Sequence, residues 1–526
     1  MKRILIIVIS MLGYSLMYSQ GIELPDFVIT GVQSVSIPIL PKKSPEPIST
    51  ITHEFIKPIY TPEDFKISEP SAPIKVDAEI FKVKQQLNGS FTVAAGINTQ
   101  PMGEVYFYNT FDKIFLYSKV YGKFIRAFEN NSDLSRTGVD FSSKYFVDNE
   151  SVFLPATKIE IGADYERIWY KHFKSANPEF QNKIQKGSTK FLIENTFVKE
   201  FNFGASIKLN GMFTNTSDYR SMDIESKGFF SSDFNNINFS FEGLYIRQYI
   251  SKEKLQSYNY DYYNANISAK YKPSKNLSFG AGFYVANYDS NSFFSPSAFV
   301  QVNLNNNIAF DVKFMPITRF YTFQDFFAEN KYIKFAGKDN HYEEHKGNFS
   351  LVLRYNYLKL IEASLGINIK TVEDKYYYSD SKNKGYFELL TVNDVNELEI
   401  FSNYYFKLGD YGDLFGELAY KNYRMPNDVV LPYTPAFSMS TNYKYLYSNE
   451  IALTLGIDWK HKTYFDDSNT STLSDYLNLS LKGEYLLYEN FGIIIQFENI
   501  LNNKNYLYFN YLEKPLDIYA GINYKW

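Results

Sequence analysis

The chain has 526 residues, carries 54 Lys plus Arg against 58 Asp plus Glu for a net charge of -4, and contains no cysteine. That balance excludes a broad basic field for nucleic acid, and the absence of thiols excludes disulfides, thiol catalysis and thiolate metal sites. Aromatic residues make up 18%, with 47 Tyr and 47 Phe, yet mean hydropathy is -0.31; a soluble core rarely combines these, whereas strands with one face in lipid and one in a polar lumen do so naturally.

In chain order, Met1-Lys2-Arg3 is a charged start, and Ile4 to Leu16 is an apolar run too short to span a bilayer. Residues 1–20 read as a secretory signal peptide cut near Ser19-Gln20, with no cysteine for lipid attachment. Residues 21–87 hold Pro25, Pro38, Pro41, Pro45, Pro47, Pro58, Pro62, Pro70 and Pro73, a density that favours extended backbone over a packed core. This segment is expected to be a periplasmic or lumenal tether. After the signal peptide no apolar run approaches the roughly 18 residues of a spanning helix, so a membrane crossing must use strands.

From residue 88 to 526 the apolar positions repeat every second residue. Phe203, Ala205, Ile207, Leu209 and Phe213 alternate with Ser206, Lys208 and Asn210; Ile308, Phe310, Val312 and Phe314 leave Asp311 and Lys313 on the other face. Phe349, Leu351, Leu353 and Tyr355 do so against Arg354, Ile451 to Trp459 against Lys460, and Leu477, Leu479 and Leu481 against Lys482 and Glu484. These seven charges, Lys208, Asp311, Lys313, Arg354, Lys460, Lys482 and Glu484, are expected to face a lumen. Tyr263 and Tyr271 bracket one apolar face, where interface girdles would sit.

Short polar turns near 200–202, 272–276, 305–307, 409–412 and 489–490 alternate with longer polar stretches near 172–189, 248–257, 318–345, 424–436, 465–475 and 500–516. Short turns on one rim and long loops on the other predict an all-β fold, a transmembrane antiparallel β-barrel of even strand number, about 22 strands, in a bacterial outer membrane. The outer-membrane lipid is its solvent. The last strand, Ile518 to Trp526, alternates and ends on an aromatic residue, the form of terminal strand that the barrel assembly machinery reads, so Trp526 is the expected assembly signal. This strand must pair with the first, because an open edge in lipid leaves backbone groups unsatisfied.

Glu498-Asn499-Ile500-Leu501-Asn502-Asn503-Lys504-Asn505-Tyr506, followed by a loop and a last strand ending in Trp526, resembles the closing hairpin of TonB-dependent receptors. Leu431-Pro432-Tyr433-Thr434-Pro435 is similar to a segment those receptors carry a few strands earlier. Asp26-Phe27-Val28-Ile29-Thr30 resembles the TonB box, an extended segment that adds a strand to a periplasmic energy coupler. Such receptors place a plug of more than a hundred residues between box and barrel; here only the proline-rich segment stands there. The chain therefore resembles plugless receptor-like barrels. The resemblance implies transport or passage of a solute or macromolecule, with a TonB-type coupler, a separate plug or a periplasmic protein as partner. A non-conducting structural or assembly barrel docking a periplasmic or surface partner is the alternative.

His341-Tyr342-Glu343-Glu344-His345 matches the H-x-x-E-H string, which binds zinc only on a helix. Here it closes a polar loop and opens a strand, where residues four apart lie about 13 Å from each other. No metal, cofactor or catalytic residue is expected, and no nucleotide or nucleophile motif stands in a strand-to-helix setting. A barrel-wall hydrolase is a third reading.

Overall fold

The computed structural model describes residues 88–526 apart from short stretches at 152–153, 196–200, 216–217, 253–255, 290, 336–340 and 381–384. The expected signal peptide, the tether and the box-like Asp26 to Thr30 lie outside the described residues. Among those described, 22 antiparallel strands form one closed barrel. Closure is made where Gly89–Gly96 pairs with Asp517–Lys525, in register from Ser90↔Lys525 to Gly96↔Tyr519. Trp526 finishes the seam: its carbonyl accepts from Gly89 N at 3.1 Å and its N donates to Gly89 O at 3.2 Å. A Cβ at Gly96 would strike Ile518 and Tyr519, and one at Gly521 would strike Val93 and Ala94, so glycine on both strands permits this approach. At the upper end the fully buried Asp517 accepts from Asn98 N at 2.9 Å and Thr99 Oγ1 at 2.6 Å, and pairs with Lys514 at 2.7 Å.

The usual rule of burial is inverted along the wall. Ile267 is 58% exposed and Phe283 56%, while Asp223 and Gln248, on inward positions of their strands, are 0% exposed. In the strand Gln256–Ser274 the outward run from Tyr263 to Tyr271 spans eight residue rises, about 26 Å, matching an apolar band of about 25 Å. Above Tyr263 the same face carries Asp261 and Asn259. Greasy side chains on alternate positions therefore face hydrocarbon, with no second sheet packed on them.

Both chain ends of the barrel lie on the rim of short turns. Two-residue turns there include Asp112-Lys113 and Asn235-Asn236. Asp112 (φ 54°) and Asn235 (φ 53°) take the left-handed backbone that these residue types tolerate. Segment 147–157 is the longer exception on that rim. The opposite rim carries 126–133, 172–180, 321–341, 374–394, 425–436, 462–475 and 499–516. Expected loops 172–189 and 248–257 are shorter than the sequence suggests, because the strands extend to Gln181–Asn195, Ile237–Lys252 and Gln256–Ser274, well above the band. Segment 374–394, which is not among the polar stretches expected from the sequence, contains its own hairpin, Lys375–Ser379 with Glu388–Val392.

One stretch of wall departs from a cylinder. The strands Asn291–Asn303 and Ile308–Phe314 pair from Asn303↔Ala309 up to Ala298↔Phe314 and no further. Pro316, which lacks an N–H for the ladder, follows at once, and the chain resumes as Ile317–Phe320 paired with Tyr342–His345. A bulge between Lys346 and Phe349, with Gly347 at φ 58°, bends the partner strand at the same level. The ribbon so formed leans inward. Thr318, Phe320 and Tyr342 pack on the lumen side of Tyr262, Tyr284 and Tyr288, which belong to strands two and three places away. The upper wall thus overlaps itself like a scroll.

Ile267→Lys, on the lipid face, is expected to destabilise the barrel by about 2–4 kcal/mol, and Asn266→Lys, one residue away on the lumen face, by far less. Urea unfolding in lipid vesicles measures both.

Candidate functional site

The largest buried core lies inside the upper mouth, built by a loop against the inner wall. Segment 321–341 opens with the short helix Phe323–Glu329, whose N-cap Thr322 and Asp325 form a capping box: Thr322 Oγ1 accepts from Asp325 N at 3.3 Å and Asp325 Oδ2 accepts from Thr322 N at 2.7 Å. The helix presents Phe323, Phe326 and Phe327, all buried, to Tyr170, Ile184, Met212, Tyr219 and Ile250, which point inward from the wall. Burying such rings outweighs the entropy of fixing a loop.

The second half of the segment meets two further loops. Tyr332 stacks on Tyr511 at 3.7 Å between ring centres, and Ile333 bridges Phe387 of the 374–394 hairpin. Phe387 in turn packs edge-on against Tyr433 at 5.5 Å, and Tyr433 against Tyr508 at 5.4 Å. Hydroxyls tie the rings to the loop: Tyr170 donates to Lys331 O at 2.6 Å, Tyr508 to Glu329 O at 2.8 Å, and Tyr376 and Tyr378 to Glu329 Oε2 at 2.6 and 3.0 Å. Leu431-Pro432-Tyr433-Thr434-Pro435 and Asn499 to Tyr506, singled out in the sequence, thus supply walls of one cap.

A chain of buried charges underlies the cap. Lys375 lies 3.5 Å from Glu343 and 3.2 Å from Glu397, Lys370 lies 2.9 Å from Glu397, and His345 lies 3.2 Å from Glu343. Glu343 also accepts from Tyr321 Oη at 3.1 Å and Tyr376 N at 3.2 Å. Burial pushes the Lys375 ammonium down, but the facing Glu343 and Glu397 carboxylates outweigh it and hold it above its ordinary value. Each ion is paired, as a low-dielectric site requires.

The H-x-x-E-H residues do not converge on a metal position. His341 directs Nδ1 to Tyr321 O at 2.7 Å and lies among the rings of Tyr260 and Phe326, whereas His345 engages Glu343. Among the described residues no group of histidines and carboxylates could hold a metal ion.

The seven expected lumen charges all occupy inward positions but do not form one site. Asp311 and Arg354 form an ion pair, with Lys313 beside them lining the same cavity. Lys482 and Glu484 pair with each other at 2.5 Å. Lys208 stands across the ladder from Lys190 and Glu225, and Lys460 lies 5.4 Å from the Tyr476 ring. The cap itself escaped the sequence reading; the run Phe323 to Phe327 and the triplet Tyr376-Tyr377-Tyr378, inside otherwise polar connections, were its only signals.

The barrel is similar to the ferric enterobactin receptor PfeA of Pseudomonas aeruginosa, with TM-score 0.63 and 10% identity over 83% of this chain and 81% of that one. It is similar also to the ferric-catecholate import receptor Fiu of E. coli, with TM-score 0.62 and 10% identity over 84% and 82%. The FrpB iron transporter of Neisseria meningitidis gives TM-score 0.64 and 9% identity over 84% and 82%. The fold is that of TonB-dependent receptors. No protein-family profile and no curated protein matches the sequence. A closed, apolar-skinned TonB-receptor-like barrel belongs in the bacterial outer membrane, and the short-turn rim that carries both ends of the barrel is its periplasmic side. The cap is then extracellular.

Two histidines make the cap sensitive to acid. Burial pushes His341 down to about 4, and burial, with the nearby Lys331 and Lys334 charges, pushes His172 down to about 4. Both stay neutral in the closed cap and regain their ordinary value of 6.5 when it opens. The stability they contribute is therefore full above about pH 6.5 and is lost as pH falls from there to about 4, by up to about 3 kcal/mol each. Protection factors at the amides of Phe323–Glu329, measured against the intrinsic exchange rate at each pH, should fall over that interval, and His341→Gln should flatten the response. Phe326→Ala should cost the cap about 3–5 kcal/mol, seen as faster exchange in the same amides while wall amides stay protected.

Proposed function

We propose that this protein is an outer-membrane transport barrel that admits a solute from outside, with the inward-folded cap of residues 321–335 as the element that closes its mouth. The supporting observation is the core made by Phe323, Phe326, Tyr332 and Phe387 with Tyr170, Tyr219 and Tyr511: a lumen of this width cannot be filled by wall side chains, and here a loop occupies its upper part. The proteins it resembles are receptors and transporters for ferric enterobactin, ferric catecholates and iron. A ferric chelate is accordingly the first solute class to test. In this reading Lys208, Asp311, Lys313, Arg354, Lys460, Lys482 and Glu484 set the field below the cap. Asp26, Phe27, Val28, Ile29 and Thr30 would offer a strand to a TonB-type coupler, and Trp526 the assembly signal. No catalytic role is assigned.

Planar-bilayer conductance separates this from a sealed structural barrel. The full chain, the chain without residues 21–87, the chain with 323–335 replaced by a short Gly-Ser linker, and the double variant are compared, each first shown to be folded by heat-modifiable migration. Large stable conductance is expected wherever the cap is removed. Silence in all four forms would overturn the reading in favour of a non-conducting barrel that docks a partner.

A further inference from the structure

The scroll-like overlap leaves a strand edge facing the membrane. Above Ala298 the strand Asn291–Asn303 keeps its ladder to Leu277–Tyr288, but among the described residues nothing pairs with its other edge over Asn291–Ser297. Pro296 sits within this stretch and removes one donor from the sheet, as edge positions allow. The outward rim is apolar: Phe294 is 67% exposed and stacked on Phe283 at 5.6 Å, and Phe314 and Met315 stand at the point where the neighbouring strand leaves. At the level of Phe294 and Val285 this rim lies below Tyr263, which is level with Asn287 and Ser292. It therefore opens to hydrocarbon in the outer half of the bilayer.

Behind the rim lies a cavity of about 280 Å³ that takes in both faces of the wall, with Ala298, Val300 and Phe314 from the lipid face, Lys270, Gln301, Asp311, Lys313 and Arg354 from the lumen face, and Met315 where the strand ends. Its one carboxylate, Asp311, is engaged by Arg354. Lys270 donates to the neutral Gln301 at 3.2 Å, and Lys313 also lines the adjoining cavity of about 600 Å³ with Arg319, His345 and Lys370. Two ammonium groups thus remain in surplus just inside a greasy opening. A water-soluble anion would need no apolar rim, and an added peptide strand would meet Pro296 in mid-ladder. An amphiphile with an anionic headgroup satisfies both halves of the slot.

We infer that this slot binds a membrane lipid laterally, with acyl chains against Phe294 and Phe314 and an anionic, phosphate-bearing headgroup drawn in by Lys270 and Lys313. Because the chain has no cysteine, a single introduced one can carry a fluorophore at a unique place. Met315→Cys and, as a reference on plain wall, Phe241→Cys are labelled with bimane and placed in bilayers of phosphatidylcholine with brominated phosphatidylglycerol or brominated phosphatidylcholine. At position 315 the anionic lipid should out-compete the zwitterionic one by about fivefold for each lysine, while at position 241 the two should quench alike. Lys270→Gln with Lys313→Gln should return position 315 to the reference ratio. Equal ratios at the two positions, or a preference at 315 that survives loss of both lysines, would overturn the proposal.

Discussion

No backbone donor or acceptor within the bilayer can be left to water, and the whole architecture follows from that constraint. A strand in hydrocarbon must have a neighbour on each side, so the sheet must close, and the first and last strands are bound to meet. The seam at Gly89–Gly96 and Asp517–Lys525 meets this demand with two glycines that let the strands approach, a buried Asp517 that ties off the top, and Trp526 bonding back to Gly89. Where the ladder stops short, between Asn291–Ser297 and Ile317–Phe320, the molecule answers with an overlap and a proline.

Closing so many strands makes a wall with almost no core of its own. Apolar side chains are spent on lipid and polar ones on the lumen, leaving little to bury between them. The packed aromatic core therefore moves to the mouth, where loops that rise above the membrane return inward. The helix Phe323–Glu329 and the rings of Tyr332, Phe387 and Tyr511 do there what a second layer does in a soluble domain. Beneath it Lys370, Glu397, Lys375 and Glu343 alternate in sign, with His345 hydrogen-bonded to Glu343 at the end of the row. Tyrosine suits this position, since its ring fills the core while its hydroxyl satisfies loop carbonyls such as Lys331 O and Glu329 O.

The same residue types thus serve two purposes at different heights. Tyr263 faces lipid as a girdle residue, and Tyr262, its neighbour in sequence, is fully buried under the overlapping ribbon. Only the direction of the side chain from the pleat distinguishes them. Likewise Lys313 is a lumen charge by its alternation, yet its place beside an interrupted ladder gives it an approach from the membrane that Lys208, in an unbroken one, lacks.

Alternation alone determined the barrel. Because side chains in a strand repeat every two residues, Phe203 to Phe213 and Leu477 to Leu481 declare which face meets lipid and which charges turn inward, and the lengths of polar connections declare the two rims. The terminal aromatic and the need for closure were legible for the same reason, since they depend on neighbours in sequence or on the one pairing topology compels. The cap, the charge chain from Lys370 to His345, the overlap at Pro316 and the missed loop 374–394 were not legible. They join residues far apart in the chain, such as Tyr332 with Tyr511 and Lys375 with Glu397. A loop carries no period to announce its partners; only the tertiary structure, in which bent strands and returning loops compete for the same space inside the mouth, decided who meets whom.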